Sequence, residues 1–237
     1  MLLPNNIHPS WEAFINEDIR NELEYIESAI GKNYNPINNN DILRFLKLDL
    51  FNVKIIWLGQ DTYPAKGVAT GRAFEVGGLS SWTEKFRQVS QKNIIRLMHK
   101  NYTGILEYGE IKKFKEIQKE IEEKKFLLKE PKEIFNSLEI QGVMFLNTSF
   151  TCEIGKANSH KLIWNRFSIK VLEYISENNP DIIWFLWGKE AIANKSYIKN
   201  GIFFESRHPM MCSEKYKDDF LKFEGFKETM HIINWLG

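Results

Sequence analysis

Cysteine and long apolar runs are both scarce in this sequence. Its 237 residues include only two cysteines, Cys152 and Cys212, too few for a four-thiolate zinc or iron–sulfur site and too few for a disulfide framework. No stretch approaches the roughly 18 consecutive apolar residues of a membrane span, and the N-terminus lacks the basic start and apolar run of a signal peptide. We therefore expect a soluble, intracellular protein, cytoplasmic if bacterial and nuclear or cytoplasmic if viral or eukaryotic.

An excess of charge of either sign is also absent. The chain has 32 Lys and Arg against 31 Asp and Glu, a formal net charge of +1. The overall charge therefore does not indicate nucleic-acid binding, and any such site must be a local patch. No two histidines have the i, i+4 spacing of a helical zinc motif. The histidines are His8, His99, His160, His208 and His231.

The sequence does contain an alternation of apolar runs and amphipathic segments, which predict buried parallel strands and helices respectively. The predicted strands are Val53 to Leu58, Gly142 to Leu146, Asp181 to Trp187 and Gly201 to Phe204; the predicted helices are Trp11 to Ile30, Thr83 to Met98, His160 to Ser176 with Ser159 as its N-cap, and Phe220 to Ile232. This order predicts one α/β domain over residues 1–237, a three-layer sandwich with a central, mostly parallel four-stranded sheet flanked by helices.

Polar residues follow each predicted strand. They are Gly59 to Pro64 after the first, Asn147-Thr148 after the second, Gly188-Lys189 after the third and Ser206 to Pro209 after the fourth. In sheets of this kind the ligand crevice lies beyond the carboxyl ends of the strands. A carboxylate, an amide, an aromatic ring and a histidine would therefore meet at one edge, the mixture that a small polar site with acid–base chemistry needs.

The segment Gly59-Gln60-Asp61-Thr62-Tyr63-Pro64 resembles the water-activating motif Gly-Gln-Asp-Pro-Tyr-His of family 1 uracil-DNA glycosylases. Further segments fall in the order of that family: Gly71 to Val76, Gly142 to Thr148, Ala157 to His160, the strand ending at Gly188, His208-Pro209 and the closing Trp235. The resemblance covers nearly the whole chain from Trp11. It implies a monofunctional hydrolase that flips uracil out of DNA and hydrolyses the N-glycosidic bond in base excision repair, without a metal or other cofactor.

Two catalytic residues follow from the resemblance. Asp61 corresponds to the residue that orients and activates the attacking water and stabilises positive charge on the sugar, because glycosidic hydrolysis passes through an oxocarbenium-like transition state. His208 corresponds to the residue that donates a hydrogen bond to uracil O2 as negative charge accumulates on the departing base.

Four residues correspond to the family's base pocket. Asn147 would read the uracil edge, since its amide offers both a donor and an acceptor. Phe74 would stack on the flipped base. Tyr63 would crowd uracil C5 and exclude the thymine methyl group, and Gln60 would line the same pocket.

The predicted DNA-contacting loops depart from the family's pattern. Thr62 and Pro64 replace the motif's proline and histidine, so we expect a shifted course for this loop. Residues 77–82 replace a Pro-rich loop, and residues 210–213 read Met-Met-Cys-Ser where the family has Ser-Pro-Leu-Ser. Cys212 thus stands in register with the leucine that fills the gap left by the flipped base, with Met211 as its stand-in. The candidate DNA contacts are Ser81, Met211, Cys212 and Ser213.

The charged segment, Glu107 to Glu133, is dense in Lys and Glu and looks longer than its family equivalent. Ile111, Phe114, Ile117 and Ile121 mark one face of an amphipathic helix. A surface helix docked on the core and an appendage facing DNA or a protein partner both fit this pattern. We expect a monomer that acts on uracil in single- or double-stranded DNA.

Two other functions remain open from the sequence. A glycosylase for a different base is one, because Arg72 and Glu75 lie beside the pocket motif. The other is a catalysis-independent DNA-binding or processivity-type protein on the same fold, which the altered loops and the charged segment support. A pure binder, however, has no evident need for the whole set of catalytic and base-pocket residues.

Overall fold

The computed structural model describes residues 2–237, and a four-stranded parallel sheet lies at its centre. The strands are β2 (Ile55–Gly59), β3 (Val143–Asn147), β5 (Ile183–Trp187) and β6 (Ile202–Ser206), in the spatial order β3-β2-β5-β6. Each strand begins and ends within two residues of its predicted bounds. A separate antiparallel pair joins β1 (Tyr34–Asn35) to β4 (Cys152–Glu153). The predicted fold class is confirmed.

Eight α-helices surround the sheet in the described part of the chain. They are α1 (Glu17–Ala29), α2 (Asn39–Ile42), α3 (Val89–Thr103), α4 (Phe114–Glu122), α5 (Pro131–Ile140), α6 (Lys161–Asn178), α7 (Lys189–Ala193) and α8 (Gly225–Thr229). Short 3-10 turns supplement them, among them Tyr108–Glu110 and Phe220–Lys222. Within residues 2–237, no helix is both long enough and apolar enough to cross a membrane.

Side chains alternate along the strands and divide the core into two layers. On β2, Ile56 and Leu58 pack into one cluster with residues of α1 and α6, whereas Ile55 and Trp57 pack into the other with residues of α3 and α5. Both faces of the sheet are therefore covered, which explains why its strands are almost continuously apolar. The polar residues lie instead at the carboxyl ends of the strands, which the helices do not cover.

Three predicted helices have different bounds. The first begins at Glu17 rather than Trp11, because the Asn16 side chain caps it by accepting a hydrogen bond from the Ile19 N–H at 3.0 Å. The second runs over Val89–Thr103 instead of Thr83 to Met98. The predicted helix from Phe220 to Ile232 is reduced to a 3-10 turn and the short α8.

The predicted helix over His160 to Ser176 is confirmed as α6, but Ser159 is not its N-cap. His160 occupies that position. The Ser159 hydroxyl instead accepts a hydrogen bond from the backbone N–H of Glu153 at 2.7 Å, which ties the chain before α6 to β4. The predicted cap is wrong because the backbone N–H of Glu153, six residues earlier, takes up the hydroxyl that would have capped the helix.

Candidate active site

A cavity of about 410 Å³ opens where the carboxyl ends of the strands meet. All six residues predicted for catalysis and base binding line it, and these are Gln60, Asp61, Tyr63, Phe74, Asn147 and His208. The predicted DNA contacts Ser81, Met211, Cys212 and Ser213 do not line the cavity, whereas Met210 does. Residues from all four strand ends and their loops are thus brought together.

Asp61 lies just after β2 and is partly buried. Its Oδ2 accepts a hydrogen bond from the backbone N–H of Asn158 at 2.5 Å. Its Oδ1 is buried and has no hydrogen-bond partner among residues 2–237. Burial raises the pKa of the Asp61 carboxyl above its ordinary value, and the N–H groups of Asn158 and Thr62 and the Ser149 hydroxyl only partly oppose this. One carboxylate oxygen is therefore held in place while the other is left to accept from a reactant.

The loop before α6 aims that Asn158 N–H. Asn158 has a positive φ of 61°, a left-handed conformation that asparagine tolerates better than most residues. Two residues on, the Nδ1 of buried His160 lies 2.8 Å from the Thr151 hydroxyl, which also accepts a hydrogen bond from the Trp164 indole at 2.7 Å. His160 therefore has a structural role: it fixes the loop that fixes Asp61.

Asn35 holds the loop that carries Tyr63. This fully buried side chain in β1 donates from Nδ2 to the carbonyl oxygens of Tyr63, Pro64 and Ala65, at 3.1, 3.0 and 2.9 Å. The Thr62 side chain turns inward, and its hydroxyl contacts Cys152 Sγ in β4 at 3.2 Å. The two-stranded β1–β4 ribbon therefore sets the course of this atypical loop.

Tyr63 and Gln60 reach the cavity from this loop. Burial raises the pKa of the Tyr63 hydroxyl, so the ring is neutral over the whole physiological range. The Gln60 backbone carbonyl accepts from the Ser149 N–H at 2.9 Å and from the Thr148 hydroxyl at 3.1 Å. These two bonds join the ends of β2 and β3 and close one wall of the cavity.

Asn147 ends β3 directly opposite Gly59 of β2. A Cβ atom on Gly59 would lie only 2.4 Å from Asn147 Oδ1, so this position has room for glycine alone. The Asn147 side chain is 4% exposed, yet its amide makes no hydrogen bond with any described residue of the chain. A nearly buried amide with free donors and acceptors is suited to reading the edge of a planar ligand.

Phe74 combines a strained backbone with a supported ring. Its φ is +66°, which costs a non-glycine residue about 1–3 kcal/mol. The ring packs edge-on against Trp187, with 5.1 Å between centroids, and lies 6.4 Å from the His208 ring. Surrounding aromatic packing therefore holds Phe74 in a conformation that it would not adopt alone.

The tautomer of His208 follows from its neighbours. Nδ1 accepts a hydrogen bond from the Met210 N–H at 3.2 Å, so the neutral ring carries its proton on Nε2. Burial lowers the pKa of the imidazole, which favours that neutral form. Gly188, at φ +89°, allows the close approach, because a Cβ there would lie 2.9 Å from the His208 Cβ. The site therefore presents a neutral N–H donor.

Arg72 lines the cavity but directs its guanidinium elsewhere. It donates to both carboxylate oxygens of Glu139, at 2.7 and 2.5 Å, and to both of Glu75, at 3.1 Å. It also donates to Asn136. Arg72 and Glu75 thus satisfy each other within a buried ion network. Because these charged groups bind each other, they no longer support the hypothesis that the enzyme recognises a different base.

The candidate DNA contacts differ in exposure. Met210 and Met211 are 58% and 60% exposed. The Cys212 thiol instead points back to the carbonyl of Pro209 at 3.4 Å and packs against the core. Ser81 contacts Thr83 and Glu130. Met211, not Cys212, therefore has the exposed position that a wedge between bases requires.

Several residues at the site were not singled out from the sequence. Asn35 and the backbone of Asn158 act through contacts remote in sequence, and Met210 and Ser90 line the cavity. Of these residues, only Asn158 and Met210 could have been found from the sequence, because each lies in a segment that was compared with the family's motifs. Among residues 2–237, no three His, Cys, Asp or Glu side chains are grouped so that they could hold a metal ion.

The chain matches no model of a protein family, but individual relatives match it over most of its length. It is 31% identical over 225 residues to the uracil-DNA glycosylase of Francisella philomiragia, an alignment that covers 90% of each chain. It is 34% identical over 190 residues to that of Francisella tularensis subsp. holarctica, covering 79% of this chain and 74% of the relative. The chain belongs to the uracil-DNA glycosylase family.

Solved structures share the fold at lower identity. The UNG of Nitratifractor salsuginis aligns with a TM-score of 0.70 and 22% identity, over 97% of this chain and 93% of its own. The uracil-DNA glycosylase of mimivirus aligns with a TM-score of 0.67 and 19% identity, over 96% and 83%. A mimivirus UNG in complex with UGI gives 0.61 and 19%, over 86% and 70%. These likenesses support the three-layer α/β fold.

Membership of the uracil-DNA glycosylase family confirms the predicted function and enzyme class. The reaction is hydrolysis of the N-glycosidic bond that joins uracil to the DNA backbone, in base excision repair.

Proposed function

We propose that the cavity at the strand ends is the uracil pocket and that Asp61 is its catalytic carboxylate. The single observation that carries this proposal is the state of Asp61: one oxygen is fixed by the Asn158 N–H, and the other is buried without a partner in the described chain. Oδ1 accepts a proton of the attacking water and aims the water at the sugar. The negative charge also stabilises the oxocarbenium-like transition state.

His208 stabilises the departing base. As the glycosidic bond breaks, the bonding electrons move to uracil N1 and negative charge spreads to O2. The Nε2–H donor is fixed by the Met210 N–H on Nδ1, so it meets this charge without reorganisation. A neutral donor suffices, because its contribution comes from being aimed at charge that develops in the transition state.

Three side chains recognise the base. The free amide of Asn147 pairs with uracil O4 and N3, whose acceptor and donor pattern cytosine does not offer. The Phe74 ring stacks on the base. Tyr63 occupies the space beside C5, where a thymine methyl group would clash. Gln60 completes the wall between the ends of β2 and β3.

The finer assignment is to family 1, with atypical water-activating and DNA-intercalation loops. The order of motifs supports family 1, and the β1–β4 ribbon that holds Thr62 and Pro64 accounts for the first loop. In the second loop we assign the wedge to Met211 and DNA contact to Ser213. Cys212 serves as an anchor of that loop, and Ser81 is a further DNA contact.

The cellular setting remains a prediction from the sequence. We propose a monomer that acts on uracil-containing DNA, single- or double-stranded, in the cytoplasm if the source is bacterial and in the nucleus or cytoplasm if it is viral or eukaryotic. The complex of a mimivirus UNG with UGI supports the idea that enzymes of this fold bind protein partners. Here such a partner would contact the outer, charged face of α4.

The proposal is tested by base release from labelled single-stranded oligonucleotides in the presence of a chelator. Wild type should release uracil and leave a matched thymine strand intact. Tyr63→Ala should begin to release thymine, because the side chain that crowds C5 is gone. Refusal of thymine by this variant would show that another group guards C5, and absence of uracil release by wild type would contradict the assigned activity.

A further inference from the structure

The methionine loop, defined as residues 209–213, is tied down at both ends. At its start, the Pro209 carbonyl accepts a hydrogen bond from the buried Asn93 amide at 2.6 Å. At its end, the Ser213 N–H donates to the Asp219 carboxylate at 2.5 Å. Between these two anchors Met210 and Met211 stand exposed. The loop is thus a short bridge whose supports determine where the methionines lie.

The support at Pro209 leads to the charged segment. Asn93 Oδ1 accepts a hydrogen bond from Arg96 at 2.9 Å, and the Nε of Arg96 donates to the backbone carbonyl of Lys112 at 2.8 Å. Asn93 and Arg96 lie one turn apart on α3, so both reach the same side of that helix. A continuous chain of hydrogen bonds therefore joins Lys112 to the start of the loop.

The support at Ser213 leads to the same segment by a separate route. Asp219 is 1% exposed and accepts hydrogen bonds from three donors: the N–H groups of Ser213 and Leu221, and the Tyr108 hydroxyl at 2.9 Å. Burial, and then the Asp219 hydrogen bond, raise the pKa of Tyr108, so the hydroxyl keeps the proton that it donates. Hydrogen bonds to a charged acceptor are the stronger kind.

The charged segment is itself firmly seated. Ile111 and Ile117 are buried in the core layer that contains α3 and α5. Glu120 lies 2.7 Å from the buried ring of His99, and Gln118 donates to the Trp82 carbonyl at 2.7 Å. Its charged outer face is solvated while its inner face is docked. The segment can therefore act as a rigid support for what it contacts.

We propose that Tyr108 and Asp219 are positioning residues that hold the methionine loop so that Met211 fills the gap left in a DNA duplex by the flipped base. This inference rests on the proposed function, because it assigns a role to the loop that follows His208. Methionine is long but flexible, so its use as a wedge depends on a fixed backbone beneath it. The charged segment is then an internal brace of the DNA-gripping loop.

The test is a comparison of uracil release from duplex and single-stranded DNA under single-turnover conditions. Tyr108→Phe removes one hydroxyl and keeps the ring. We expect it to lower the rate on duplex about tenfold, the size expected for a lost hydrogen bond to a carboxylate, and to leave the single-strand rate unchanged, since no duplex gap has to be filled there. Tyr102→Phe is the matched control: its hydroxyl bonds Asn234 and the Trp235 N–H, away from the loop.

A double-mutant cycle separates positioning from general stabilisation. In a Met211→Ala background, Tyr108→Phe should have no further effect on duplex, because the side chain that it positions is gone. An unchanged duplex rate in Tyr108→Phe, an equal loss on both substrates, or losses that add to those of Met211→Ala would each overturn the proposal. If wild type released uracil from neither substrate, the proposed function would fail instead, a result distinct from these.

Discussion

At the scale of single residues, Asp61 is a group whose burial opposes folding and serves chemistry. Burial raises its pKa, so the folded protein binds this proton more tightly than the unfolded chain does. Above the raised pKa the ionised carboxylate therefore lowers the free energy of unfolding, and below the ordinary value of 3.8 this cost disappears. Such a cost is typical of active sites, where a carboxylate is buried away from solvent because the reaction needs it there.

Two predictions follow from that sign, one for the stability of Asp61→Asn and one for the activity of wild type. Its melting temperature at neutral pH should exceed that of wild type, because the amide can still accept from the Asn158 N–H without a buried charge, and the difference should vanish at strongly acidic pH. In wild type, kcat/KM should fall on the acid side with a midpoint above 3.8 as Asp61 is protonated. A variant less stable than wild type at neutral pH would contradict this prediction, because it would mean that other groups of the protein stabilise the Asp61 charge.

At the scale of elements, the loops after the strands are shaped by steric fit as much as by hydrogen bonds. Gly188 directly follows β5, has a φ of +89° and lies against His208, so the end of the third strand sets the position of the loop after the fourth. The sequence predicted that these ends would meet. It could not predict that Gly188 is the contact surface, because a glycine after a strand looks the same whether or not another loop packs on it.

Gly188→Ala should therefore impair catalysis more than stability. An alanine Cβ would come within 2.9 Å of the His208 Cβ and move the imidazole, so we expect about a tenfold to hundredfold loss in kcat. Gly31→Ala is the matched control: Gly31 also has a positive φ, 72°, but a Cβ there meets nothing within 4 Å. Measured by chemical unfolding, Gly31→Ala should lose about 1–2 kcal/mol of stability from its positive φ. Gly188→Ala should lose about 1–3 kcal/mol, because its φ of +89° and ψ of 163° lie in a region nearly confined to glycine. Equal kcat in the two would show that Gly188 does not position His208.

At the scale of the whole molecule, the sequence predicted what depends on pattern and missed what depends on single distant contacts. Continuous apolar runs identified the four strands, because strands covered on both faces cannot carry polar residues. The residues after them, such as Asp61 and His208, followed from that placement together with the family resemblance. Asn35 and Asp219 gave no signal, since one buried amide or carboxylate has no periodicity. The helix beginning at Glu17 was misplaced for the same reason: the Asn16 cap outweighs the apolar pattern that extends to Trp11.

The charged segment illustrates the same limit. Its amphipathic pattern favoured a solvated surface helix docked on the core and left a partner-facing appendage open as the alternative. In the structure its apolar face packs on the core, with Ile117 fully buried. Two of its residues also form hydrogen bonds with Arg96 and Asp219, which in turn lead to the methionine loop. The Tyr108 hydroxyl donates one of these hydrogen bonds, and the Lys112 carbonyl accepts the other. Neither a tyrosine nor a backbone carbonyl distinguishes itself in a run of Lys and Glu.

The central claim, that the cavity at the strand ends is the uracil-releasing site with Asp61 as its carboxylate, is tested most directly by single-turnover rates of uracil release. The comparison is among wild type, Asp61→Asn and Asp181→Asn, the last an exposed aspartate just before β5, at the opposite edge of the sheet. We predict that Asp61→Asn loses at least about a hundredfold in rate while remaining folded, and that Asp181→Asn matches wild type. A near-normal rate in Asp61→Asn would contradict the account.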